Sequence, residues 1–96
     1  MKIVYGTDMG GIPWTEPMAQ EFSRMVDFGM RPMDAIKSAT SRAAVMLDME
    51  GQIGVVAPGA FADIIAMDGD PLRDIKVLGT VPFVMKDGKV FKNELR

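Results

Sequence analysis

Apolar residues along this chain change their period near residue 50. Ile3-Val4-Tyr5 reads as the centre of a short buried strand over residues 2–5, β-branched and aromatic, and stopped by Gly6. A loop follows from Gly6 to Pro13. Thr15 is a candidate N-cap, with Glu16 and Pro17 in the first turn, where an acid and a missing N–H both suit a helix start. Met18, Phe22, Met25 and Val26 then fall at i, i+4, i+7 and i+8, one apolar stripe that Gly29 ends. Pro32 opens a second helical stretch carrying Ile36, Ala39, Ala43, Met46 and Leu47. Thr40 and Ser41 sit midway, where hydroxyls compete for backbone partners, so two short helices or one bent helix are expected.

Beyond Leu47 the pattern becomes strand-like. Ile53, Val55-Val56 and residues 62–67 read as strands, with Pro58-Gly59 suited to the centre of a type II turn between them. Asp68-Gly69-Asp70-Pro71 marks another turn. Residues 81–86 and 89–92 flank Asp87-Gly88, a strong hairpin signal, in a register that sets Met85 opposite Val90 and Lys86 opposite Lys89. The order is strand, loop, helix, helix, then strands only. It is an α/β pattern, like the end of an alternating β/α array joined to a separate strand layer.

Composition narrows the chemistry. The 96 residues include no Cys and no His, which excludes disulfide scaffolds, thiolate sites, Ser-His-Asp triads and His-ligated zinc within the chain. A net charge of −2 leaves no basic surplus, so no nucleic-acid partner is expected. The longest apolar run, Ala43 to Leu47, is five residues, far below the ~20 of a membrane helix. No membrane partner is expected, and a cytoplasmic location is.

Asp8 is the leading chemical candidate, just past the C-terminal end of a strand, where α/β barrels place catalytic groups. The alternative is an ordinary Thr-Asp turn. Trp14, the lone Trp, either lines a substrate pocket or covers the first helix. Gly6, Gly10 and Gly11 match no phosphate-binding spacing. Asp68 and Asp70 read as a solvated turn, and Asp63 as a carboxylate holding loop N–H groups. Met18, Met25 and Met46, three of ten methionines, read as core filling. Lys86, Lys89, Lys92 and Arg96 read as a solvated hairpin and tail.

A longer combination of residues is more specific. Gly6-Thr7-Asp8 after a strand is followed by Glu21-Phe22, Met25-Val26, Gly29-Met30, Pro32-Met33-Asp34-Ala35-Ile36, Ala39-Thr40 and Ala43-Ala44. Then come Ile53-Gly54, Pro58-Gly59, Ala62-Asp63-Ile64-Ile65 and Asp70-Pro71-Leu72. In that order they resemble the C-terminal part of the metal-dependent amidohydrolase superfamily, in its imidazolonepropionase-like and Xaa-Pro-dipeptidase-like branch.

The resemblance implies that residues 1–50 are the last strand and helices of a (β/α)8 barrel, and 51–96 part of a small β-sandwich. It implies C–N bond hydrolysis of a small amide or dipeptide by metal-activated water. Asp8 would be a ligand of a divalent metal, zinc by expectation, and would carry the proton from the water to the leaving nitrogen. The other ligands would lie upstream, so this chain alone would hold no metal and be inactive. At Pro13-Trp14-Thr15 the chain departs from relatives that carry a His followed by Gly. The alternative function is a non-catalytic assembly module completing a barrel or sandwich supplied by another chain. Self-association through unpaired strand edges is a further expectation.

Overall fold

Backbone breaks at Gly29 and Thr40 divide the helical part of the chain. The computed structural model describes residues 3–6 and 19–95. Asp8, Trp14, the Thr15 cap and Met18 lie outside the described residues. Helix α1 (Gln20–Asp27) ends before Gly29, whose φ is +107°. Helix α2 (Pro32–Ala39) begins on a proline, whose missing N–H costs nothing in the first turn. Thr40, at φ −126° and ψ −98°, interrupts the helix, and its hydroxyl donates to the Ile36 carbonyl at 2.8 Å. Helix α3 (Ser41–Met46) follows at once. The mid-helix hydroxyls thus produce two short helices rather than one bent one. Ala35, Ser38 and Ala44 are almost fully buried where these helices pack, and only such small side chains let them approach so closely.

Three strands form one antiparallel sheet in the order β1 (Ile64–Ala66), β2 (Phe83–Lys86), β3 (Lys89–Asn93). Asp87 and Gly88 both have positive φ, +49° and +76°, as a type I′ turn requires. Met85 pairs with Val90 and Lys86 with Lys89, the register read from the sequence. Val84 pairs with Lys92, so Phe91 is the extra residue of a bulge. At the predicted type II turn the Ala60 N–H donates to the Ala57 carbonyl at 3.2 Å, and Gly59 holds φ +87°.

Two strand expectations fail. Residues 3–6 carry no strand assignment, and the Tyr5 N–H donates to the Ser38 carbonyl at the end of α2. Residues 53–56 form only an isolated bridge between Glu50 and Ile53. Positive φ at Gly51 and Gly54 coils this stretch, and Val56 is left 84% exposed. A 3-10 helix over Ile75–Gly79, unread in the sequence, packs against α1, with the Lys76 N–H capped by Asp74 Oδ1 at 3.0 Å.

The core lies between the helices and this 3-10 turn, and it is thin. Its buried apolar residues are Ala35, Ala44, Ile75 and Leu78. Meanwhile Phe28, Met46, Leu47, Ile65 and Phe91 remain more than half exposed.

Candidate functional site

Tyr5 anchors the backbone that leads into Asp8. Its N–H bond to Ser38 is 3.0 Å, and its ring stacks on Phe22 of α1 with centroids 4.4 Å apart and planes 28° apart. Burial raises the phenol pKa above its ordinary value, and the Glu21 charge adds to the rise. The ring thus lies on α1, while the Tyr5 backbone is tied to α2.

Several carboxylates elsewhere are engaged by the chain itself. Asp34 Oδ2 accepts from Arg31 Nε at 2.8 Å and its Oδ1 from Arg42 Nη2 at 3.2 Å. The Arg31 hydrogen bond, with both guanidinium charges and the Arg42 bond behind it, holds the Asp34 pKa below the usual carboxylate range, against some desolvation. Asp63 Oδ1 accepts the Asp87 N–H at 2.8 Å, while Lys86 Nζ lies 3.8 Å from its Oδ2. That is the loop-holding role read for Asp63, since the bond ties the start of β1 to the hairpin tip. Asp70 Oδ1 accepts the Leu72 N–H at 2.9 Å within an exposed turn. Among the described residues no group of three or more acids could hold a metal ion. The Asp34, Asp63 and Asp70 oxygens are committed to guanidinium, ammonium and backbone N–H groups.

Two readings of the sequence change here. Met46 is 63% exposed, and Met25 borders a surface groove, so neither is the buried filler that helical spacing suggests. The Arg31–Asp34–Arg42 cluster escaped the motif reading. Its signal was the i, i+3 spacing of Arg31 and Asp34, with Arg42 one helix further on. Lys92 and Glu94 lie 3.7 Å apart on the surface, and Lys89 sits 5.5 Å above the Phe91 ring, as a solvated hairpin would have them.

Three helices and a three-stranded antiparallel sheet make the described part an α/β unit. The chain belongs to the amidohydrolase family, whose model matches residues 1–91. It is 39% identical to ochratoxinase of Aspergillus niger over 99 aligned residues, covering 96% of this chain and 20% of that protein. A solved structure of a Xaa-Pro dipeptidase with methionine in its active site superposes with TM-score 0.88 at 41% identity, over 95% of this chain and 22% of that one. The solved A. niger ochratoxinase gives TM-score 0.72 at 38% identity, over 81% and 19% of the two chains. The chain spans about a fifth of the length of these relatives.

Proposed function

We propose that this chain is the C-terminal part of a metal-dependent amidohydrolase that hydrolyses C–N bonds of small amides or dipeptides. The observation that carries the reading is the family match over residues 1–91 against only about a fifth of each relative's length. In this reading residues 1–50 complete a (β/α)8 barrel and residues 51–96 belong to a composite β-sandwich. The thin core of the described residues supports it. So do the apolar residues on both faces of the sheet, Ile64, Met85 and Val90 on one and Ile65 and Val84 on the other, because a sheet buried on both sides reads that way.

Asp8 is the one residue of this chain assigned to the chemistry. Its carboxylate would be a ligand of the divalent metal, with zinc expected, and would hold the proton on its way to the leaving nitrogen. Trp14 is assigned to the substrate pocket. An unassisted Asp has a pKa near ~3.9 and is a poor base at neutral pH, so the chain alone is inactive. The test is the coding sequence immediately upstream of Met1. An open frame encoding His-x-His and the further ligands supports the proposal, and a genuine start site there overturns it in favour of the assembly-module reading. Self-association through the free edges of β1 and β3 belongs to the same picture, and light scattering over a concentration series tests it.

A further inference from the structure

An unexplained feature of the described surface is a cavity of about 550 Å³ beside Ile3, the C-terminal end of α1 and the start of α2. Its apolar wall is formed by Ile3, Met25, Phe28 and Met30, and its polar rim by the Arg31–Asp34–Arg42 cluster. Phe28 is 91% exposed, an extreme value for a Phe. The charge count on the rim is unequal, with two guanidiniums facing one carboxylate. Arg31 commits its Nε and Arg42 one Nη to Asp34, so other N–H donors of both stay unspent on that carboxylate. Asp34 also ties the two guanidiniums together, which lowers the ordering cost of a second anion.

We propose that this groove docks an apolar polypeptide segment carrying one acidic side chain. Its apolar residues cover Met25, Phe28 and Met30, and its carboxylate takes the free donors of Arg31 and Arg42. The inference rests on the proposed function in one respect, because it places the segment in the polypeptide that completes the amidohydrolase. The exposed Phe28 ring supplies apolar area for such a contact, and the unequal rim specifies the charge. Methionine on the wall suits a partner surface that must adapt its packing.

The probe is the blocked tripeptide acetyl-Leu-Glu-Leu-amide, titrated into the 96-residue chain with methionine methyl groups observed by NMR. The expected result is saturable shifts at Met25 and Met30. Binding should weaken at least threefold for the Leu-Gln-Leu peptide, for Arg42→Gln, and on raising salt from 20 to 500 mM. Phe28→Ser should weaken both peptides alike, which separates the apolar wall from the charged rim. Equal binding of the Glu and Gln peptides, or no saturable shift in a chain with dispersed native signals, overturns the proposal. The upstream coding sequence does not enter this result, so failure here is distinguishable from failure of the proposed function.

Discussion

Gly54 is the position where a single added methyl group should cost most. A Cβ built there would meet the carbonyl carbon of Thr40 at 2.6 Å and the Ser41 nitrogen at 3.1 Å, with the Thr40 carbonyl oxygen closer still. All three atoms are backbone atoms at the α2–α3 break, so no rotamer change relieves the contact. Gly54 also holds φ +74°, which costs an L-residue about 1–2 kcal/mol. Forcing the break apart adds roughly 1–3 kcal/mol, the usual range for overpacking. Gly54→Ala should therefore destabilise by about 2–5 kcal/mol, a large part of the ~5–15 kcal/mol a domain possesses. Gly59→Ala is the control, because Gly59 has φ +87° but nothing within 4 Å of its Cβ position. It should lose only the conformational part. In paired urea melts followed by circular dichroism, Gly54→Ala should be the less stable variant by at least about 1 kcal/mol, or roughly 4–8 °C in Tm. Equal stability of the two variants would refute the view that Gly54 backbone packing fixes the helix break.

Three further outcomes follow from the geometry. Asp63→Ala removes the acceptor of the Asp87 N–H at a half-exposed site, so it should cost about 1 kcal/mol and speed hydrogen exchange at Asp87 before the helices are affected. The depressed pKa of Asp34 gives stability that is present above the unfolded carboxylate pKa of about 3.9 and lost as pH falls through the lower folded value. Asp34→Asn should flatten that acid limb. The raised pKa of Tyr5 works in the opposite direction, with stability full below about pH 10 and falling as pH rises through the folded value. Tyr5→Phe should abolish that alkaline loss in a pH series of urea melts.

Much of this was legible in the sequence for local reasons. Asp87-Gly88 sets a hairpin register because both residues accept positive φ, and Thr40 marks the helix break, its hydroxyl bonding backward to the Ile36 carbonyl. The failures concern partners distant in sequence. Ile53, Val55 and Val56 have strand composition, but a strand needs a ladder, and coiling at Gly51 and Gly54 denies them one. Ile3 to Tyr5 read as a strand on the same grounds, and the Tyr5 N–H bonds a helix end. The Asp34 cluster was hidden because its third member comes from another helix. Family membership was legible through the ordered combination of short motifs, whereas no single carboxylate announced a role.

The most direct test of the account measures metal content and hydrolysis together on the purified 96-residue chain. Supplied with zinc and dipeptide or N-acyl amino-acid substrates, it should retain far less than one equivalent of metal after desalting and show no turnover. One or more tightly held equivalents, with turnover that disappears in Asp8→Asn, would contradict the central claim that the rest of the site lies on other polypeptide.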